Sequence, residues 1–373
     1  MDITTKSSTT QSFWTMGSTN VTRGLREYRC KPYQSDTDTT KGVKIFCYCM
    51  VLLFSIFGNS LLIAVIRRNK RMQTITNYLI ANMAVSDILI TVLAVPRQIT
   101  EILLGPRRWL IAGLLGSVLC KSLSFFQDIS TGVSILSLVV MAIDRYRGIV
   151  FPLRRELMMQ PAKLCKIIIS LIWIISMGLH LVYFYIFRLE INDSETYCAL
   201  SWAPKFDNTK SQEIYFLILL VCLIAIPTCV VIILYSAIIL NLKRSRIASK
   251  GPSSRLTSRR LREDTKVVRI IMAILIALVV CVIPVNVCGI LFYYVWDWKM
   301  PCGIENVVFA AHFILYSNAS VNPCIYFILH DRYRRSLMDI LRVLHVGKIR
   351  AIMEENRTKR ETMKLKDSQV WNN

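Results

Sequence analysis

Apolar residues in this chain are grouped into long segments that alternate with polar ones. Each apolar segment is long enough to cross a hydrocarbon core of about 30 Å as a helix that rises about 1.5 Å per residue. The predicted spans are Ile45–Ile66, Tyr78–Leu103, Ser117–Ile143, Ile167–Ile186, Ile214–Leu240, Ile270–Tyr294 and Val307–Ile328. The pattern predicts an all-α membrane protein built as a bundle of seven transmembrane helices.

Composition and charge agree with this architecture. The chain of 373 residues is 54% hydrophobic, which is too apolar for an ordinary soluble domain. Its formal net charge of +22 is concentrated in three connecting loops, Arg67–Arg71, Arg147–Lys166 and Lys243–Lys266. The positive-inside rule places these loops in the cytoplasm, with the N-terminus outside and the C-terminus inside. The basic balance therefore reflects topology and contact with anionic inner-leaflet lipid, and no nucleic-acid partner is expected.

The segments outside the spans complete the predicted domain organisation. Residues 1–44 form a polar extracellular tail with a glycosylation acceptor at Asn20, and a second acceptor, Asn192, lies in the outer loop after span four. Residues 45–328 form the transmembrane domain. Residues 329–345 carry apolar side chains at helical spacing, which predicts an amphipathic helix lying in the membrane interface. Residues 346–373 form a cytoplasmic tail.

Span three carries a polar stripe from end to end. Cys120, Gln127, Ser134 and Arg145 lie within about 40° of one another on a helix that turns 100° per residue. Polar groups on one line inside a membrane indicate a functional surface facing protein or a wet cavity.

A carboxylate at mid-depth suggests a cation site. Asp87 in span two has no lysine or arginine at its depth, and Ser134, Asn318 and Asn322 offer oxygen ligands at a similar height. These four residues together are a hypothetical site for a hydrated, allosteric Na⁺, and no other cofactor is expected. The alternative is a neutral hydrogen-bond network among the same side chains.

Charges at the cytoplasmic end suggest a switch. Arg145 follows Asp144 in span three, and Asp264 stands where span six enters the membrane from the same side. We expect an Arg145–Asp264 ion pair that holds span six against span three and breaks on activation.

Four of the 12 cysteines fall in or beside extracellular segments, an oxidising environment in which disulfides form. The expected bridges are Cys120–Cys198, between span three and the loop after span four, and Cys30–Cys302, between the N-terminal tail and the last outer loop. The alternative to the second bridge is that Cys30 or Cys302 stays free.

These residues together resemble one family, the rhodopsin-like (class A) G-protein-coupled receptors. The motifs that carry the resemblance are Gly58-Asn59, Leu79 to Asp87, Cys120 with Asp144-Arg145-Tyr146, Trp173, Pro227 with Tyr235, Cys281 with Pro284, and Asn322-Pro323-Cys324-Ile325-Tyr326.

The resemblance implies a plasma-membrane receptor whose outer half binds ligand and whose inner half activates a heterotrimeric G protein, with arrestin as a further partner. It assigns activation or G-protein coupling to Asp144, Arg145, Tyr146, Tyr235, Asp264, Asn322, Pro323 and Tyr326. The chain departs from the family at two places, since Val282 and Leu278 replace the usual tryptophan and phenylalanine of span six. This departure predicts altered gating or constitutive activity.

The ligand class is judged from the outer ends of the spans. Gln127 stands where receptors for biogenic amines carry an aspartate, and Gln127-Asp128 resembles the neuropeptide Y and RFamide receptors. Arg97, Glu101 and Asp128 give charges of both signs that suit a peptide with an arginine and an amidated end, and Trp202 is a further candidate contact. The alternative is that Arg97 and Glu101 pair with each other at the interface.

Other classes of function fit less well. The four histidines are scattered and no metal-ligand spacing appears, so the chain is not expected to be an enzyme. A receptor for another non-amine ligand stays open. A channel or transporter is a remote alternative, because internal repeats and broken helices with charged linings are not evident.

Overall fold

The computed structural model describes residues 36–69, 72–151, 161–192, 195–248, 255–331, 333–339 and 342. Its elements, in chain order, are α1 (Asp38–Arg68), α2 (Ile75–Leu104), α3 (Gly113–Val150), α4 (Pro161–His180), α5 (Tyr183–Ile186), β1 (Phe187–Asn192), β2 (Glu195–Leu200), α6 (Asn208–Leu219), a π-helical segment (Leu220–Ala225), α7 (Ile226–Ala248), α8 (Arg255–Ile290), a second π-helical segment (Leu291–Val295) and α9 (Glu305–Leu329). Spans one, two and three are α1, α2 and α3. Span four is α4 with α5, span five is α6 with α7, span six is α8 and span seven is α9.

Six helical segments of the described chain are long and apolar enough to cross a membrane. Span seven has sufficient length, with 25 residues in α9. It is less apolar because it places Asn318 and Asn322 in the bundle interior, where both are buried.

The helices extend beyond the predicted spans because helical hydrogen bonding continues past the apolar residues. Span one shows this most clearly, since α1 begins at Asp38, inside the segment predicted as the N-terminal tail. The Thr37 side chain accepts a hydrogen bond from the Thr40 backbone amide, and Asp38 lies in the first turn. Both features stabilise a helix start at this point.

The loop after span four forms a β-hairpin, the exception to the all-α prediction. Strands β1 and β2 pair antiparallel, with Leu189 opposite Cys198. A disulfide joins Cys198 to Cys120 near the start of α3 across a Cα–Cα distance of 5.7 Å, which confirms the predicted bridge. Cys302 is also disulfide-bonded, and its predicted partner, Cys30, lies outside the described residues. We call this end of the bundle the hairpin end, and the opposite end, with Arg67 and Arg147, the basic end.

Polar side chains connect the helices inside the bundle. The Asn59 amide of α1 donates to the Ala319 carbonyl of α9 at 2.9 Å. The Asn82 amide of α2 donates to Ser137 of α3 at 3.0 Å, and its oxygen accepts from the Trp173 indole of α4 at 2.9 Å. Interhelical bonds of this kind and close packing provide the main attraction between membrane helices.

A helical segment follows span seven. Its described residues, 331, 333–339 and 342, are helical. Tyr333 is fully buried, and its hydroxyl donates to the Asn77 side chain of α2 at 3.0 Å. The contact fixes the start of this helix to the basic end of the bundle.

A close approach of α1 and α9 depends on Gly58. A Cβ atom at this position would lie 2.7 Å from Cγ of Pro323, well inside van der Waals contact. The glycine therefore permits the packing of span one against the proline of span seven.

We expect Gly58→Ala to destabilise the protein by about 1–3 kcal/mol, the usual effect of overpacking a core. The thermal unfolding midpoint of the purified protein in detergent measures this effect. Gly178→Ala is the matched control, because a Cβ at Gly178 would have no heavy atom within 4 Å. Equal midpoints for the two variants would contradict the close-approach argument.

Candidate functional site

Trp202, predicted as a ligand contact, packs inside the protein, where it is only 8% exposed. Its indole donates to Oε1 of Gln212 in span five at 2.9 Å, and its ring lies 5.8 Å from the ring of Tyr215. Trp202 therefore fastens the chain after the hairpin to span five. A contact between Trp202 and ligand stays a prediction.

Arg97 and Glu101 pair with each other, as the alternative interpretation proposed. Arg97 Nε lies 3.3 Å from Glu101 Oε1, and Arg97 Nη1 donates to Ser124 Oγ at 3.1 Å. Arg97 therefore points toward span three and does not extend to the lipid interface. The charge of Glu101 is already neutralised before any ligand arrives.

Gln127 and Asp128 bind neutral partners. Asp128 Oδ2 accepts a 2.5 Å hydrogen bond from the Tyr183 hydroxyl. The Gln127 amide donates to the Tyr316 hydroxyl at 3.2 Å and lies 3.5 Å from Asp128 Oδ1. Among the described lysines and arginines, none forms an ion pair with Asp128. Asp128 is thus a half-buried carboxylate whose charge the surrounding side chains do not balance.

An aromatic cluster at the hairpin end was not predicted. The Gln212 amide donates to the Tyr293 hydroxyl at 3.3 Å, and the Trp298 indole donates to Glu213 Oε1 at 2.9 Å. The rings of Phe216 and Tyr293 are 5.1 Å apart. The density of aromatic residues between Phe292 and Trp298 was a signal in the sequence, but it does not specify their partners in span five.

The predicted cation site of Asp87, Ser134, Asn318 and Asn322 is formed in part. Asn322 Nδ2 donates to Asp87 Oδ2 at 2.8 Å. Ser134 bonds to Ser86, the neighbour of Asp87, with their hydroxyl oxygens 2.8 Å apart. The side-chain oxygens of Asn318 and Asn322 are buried without a hydrogen-bond partner. Such orphaned oxygens are suitable ligands for a hard cation.

The expected ion pair between Arg145 and Asp264 is not formed. Arg145 Nη2 lies 2.5 Å from Oδ2 of its neighbour Asp144 and donates to the Thr76 hydroxyl at 2.6 Å. Thr76 in turn donates to Asp144 at 2.8 Å. The guanidinium therefore turns toward span two, because a carboxylate and a hydroxyl lie within its reach there.

The remaining predicted activation residues lie along spans three to seven. The hydroxyls of Tyr235 and Tyr326 are buried without a hydrogen-bond partner. Tyr146 contacts Phe151 at a ring distance of 5.9 Å. Val282 and Leu278 are buried in the apolar core, so aliphatic side chains occupy the interior at these positions.

The predicted glycosylation sites stay predictions. Asn20 lies outside the described residues. Asn192 is the last residue of β1.

Comparison with known proteins agrees with this arrangement. Residues 58–326 match the 7 transmembrane receptor (rhodopsin family) model, which covers most of the bundle. The chain belongs to this family. The chain is therefore a multi-pass membrane receptor, and the expectation that it is not an enzyme is confirmed.

Three relatives illustrate the similarity. The chain is 29% identical to the neuropeptide Y receptor type 6 of Mus musculus over 311 residues, 80% of each protein. It is 26% identical to the QRFP-like peptide receptor of Branchiostoma floridae, over 81% of this chain and 78% of the relative. It is also 26% identical to the substance-P receptor of Homo sapiens, over 77% of this chain and 68% of the relative.

We expect Thr76→Val to raise ligand-independent nucleotide exchange on a reconstituted G protein by about tenfold. The substitution keeps the shape of the side chain but removes hydrogen bonds to two charged groups, and each such bond contributes about 1.5–3 kcal/mol. Thr100→Val is the control, since its hydroxyl donates to the Pro96 carbonyl at the other end of span two. Equal basal rates for wild type and Thr76→Val would show that Thr76 does not restrain Arg145.

Proposed function

We propose that this chain is a plasma-membrane receptor that binds a neuropeptide at its hairpin end and activates a heterotrimeric G protein at its basic end. The hairpin end faces the outside in this proposal, as the basic loops indicate. The main support is the β-hairpin fastened by Cys120–Cys198 to span three, because a fixed hairpin beside the helix ends provides both backbone and side chains for peptide contacts. The relatives described above are named as receptors for peptides.

The charges at the hairpin end support a peptide with a basic group. Glu101 is neutralised by Arg97. Among the described residues, the donors to Asp128 are the neutral side chains of Tyr183 and Gln127. A half-buried carboxylate without a cation attracts a guanidinium or ammonium group, which forms strong charge-assisted hydrogen bonds. An amidated peptide of the RFamide or neuropeptide Y type carries such a group.

A screen of amidated peptides on cells expressing the chain tests the function, with G-protein activation as the readout. For an active peptide that contains arginine, we expect Asp128→Asn to weaken potency by about 30-fold, because breaking a buried charge pair costs at least about 2 kcal/mol. Replacing that arginine by citrulline should weaken potency at wild type but change little at Asp128→Asn.

Glu101→Gln is the matched control and should weaken potency less, since Arg97 already neutralises this carboxylate. An equal loss for both variants would contradict the special role of Asp128. Nucleotide exchange and ion flux measured in the same vesicles separate a receptor from a channel. Peptide-driven flux without exchange would overturn the proposed function.

We also propose that Na⁺ binds among Asp87, Ser134, Asn318 and Asn322. The ion would supply positive charge beside the Asp87 carboxylate, and the partnerless oxygens of Asn318 and Asn322 would become its ligands. The bond between Asn322 and Asp87 fixes the carboxylate next to span seven. Bound Na⁺ would thereby stabilise the arrangement of spans two and seven.

We expect NaCl, compared with choline chloride at equal ionic strength, to raise the unfolding midpoint of the purified wild type. At about five times the Kd, Na⁺ adds about 1 kcal/mol, which corresponds to about 1–2 °C for this chain of 373 residues, because the unfolding entropy grows with chain length. Asp87→Asn should abolish the difference between the two salts. A sodium effect that survives in Asp87→Asn would place the ion elsewhere.

Arrestin is a further proposed partner. The hydroxyl residues of the tail that phosphorylation would use, Thr358, Thr362 and Ser368, lie outside the described residues.

A further inference from the structure

The basic end of span six contacts the helix that follows span seven. Lys266 lies about three turns after the start of α8 at Arg255, and its Nζ donates to Asp331 Oδ2 at 3.0 Å. Span three does not provide this contact, since Arg145 binds Asp144 and Thr76. Lys266 therefore provides a polar contact between span six and the span-seven side of the bundle.

The helix turn that contains Asp331 is fixed to the bundle through Tyr333. Two residues further on, Tyr333 is fully buried, its hydroxyl binds Asn77, and its ring lies 5.6 Å from the ring of Tyr326. A carboxylate at this place moves with spans two and seven. The contact with Lys266 therefore attaches span six to spans two and seven.

The Asp331 carboxylate is negatively charged when it binds Lys266. Its second oxygen, Oδ1, accepts from Arg334 at 2.9 Å, so both carboxylate oxygens have cationic partners. The hydrogen bond from Lys266 lowers the pKa of the Asp331 carboxyl below its ordinary value. The aspartate is therefore ionised at neutral pH, and the pair carries full charges.

We propose that Lys266 and Asp331 are positioning residues that hold the basic end of span six in the resting arrangement. The side chains are 54% and 44% exposed, so water screens their attraction. Exposed pairs of this kind change an equilibrium by up to about fivefold. The pair therefore favours the resting position of span six only weakly, and the binding of a partner at the basic end is sufficient to displace span six. The proposal concerns the unliganded receptor and is independent of the proposed peptide.

The experiment measures the position of span six without any ligand. Spin labels are placed at Arg68→Cys in span one and Arg269→Cys in span six, in the full-length receptor with its exposed free cysteines replaced. The distribution of distances between the labels reports how much of the protein has span six displaced. Basal nucleotide exchange is a second readout of the same variants.

We expect Lys266→Asp and Asp331→Lys each to increase the displaced population by up to about fivefold, because each places like charges at the contact. The combined swap, Lys266→Asp with Asp331→Lys, should return the population toward wild type. Unchanged single variants, or a double variant no closer to wild type than the singles, would overturn the proposal.

Salt provides a second test that needs no charge reversal. The Debye length falls from about 8 Å at physiological ionic strength to about 3 Å at 1 M, so added salt should displace span six in wild type but not in Lys266→Gln. Asp339→Asn is the matched control. It removes an exposed acid of the same helix whose partner, Arg342, lies within that helix at 4.0 Å. An equal response of Lys266→Gln and wild type to salt would also overturn the proposal.

Discussion

Polar side chains in the hydrocarbon region must find partners inside the bundle, because the bilayer core offers no water to replace them. This constraint orients the helices of this receptor. Asn59 joins spans one and seven, and Asn82 joins span two to spans three and four. Asp87 joins spans two and seven through Asn322. Rotating any of these helices would leave a polar group facing lipid, so the network determines which faces meet.

Two arginines of the bundle are neutralised close to their own position in the chain. Arg97 pairs with Glu101 one turn further along the same helix, and Arg145 pairs with its neighbour Asp144. Two consequences follow. At the hairpin end, Asp128 accepts hydrogen bonds from the neutral donors Tyr183 and Gln127. At the basic end, Lys266 of span six is free to bind Asp331. The aliphatic side chains of Val282 and Leu278 suit such an arrangement, since an aromatic switch is not part of the core at these positions.

Much of the fold was predictable because its causes are local or compositional. Hydrophobic length indicated the spans, and the location of the cysteines indicated the bridge between Cys120 and Cys198. The amphipathic spacing around Tyr333 indicated the helix after span seven. The start of α1 was missed because capping by Thr37, and not hydrophobicity, decides where that helix begins.

The sequence by itself determined the family, the bundle of spans and the heights of the polar groups within the membrane. Hydrophobic length and helical period contain that information, since both are properties of consecutive residues. Only the tertiary structure decided which polar groups meet. Trp202 donates a hydrogen bond to Gln212 inside the protein. Arg145 binds Asp144 and Thr76 and not Asp264. Lys266 binds Asp331. The height of a residue does not specify its partner, because several side chains share each height and an ion pair or hydrogen bond forms only with the one that packing brings within about 3 Å.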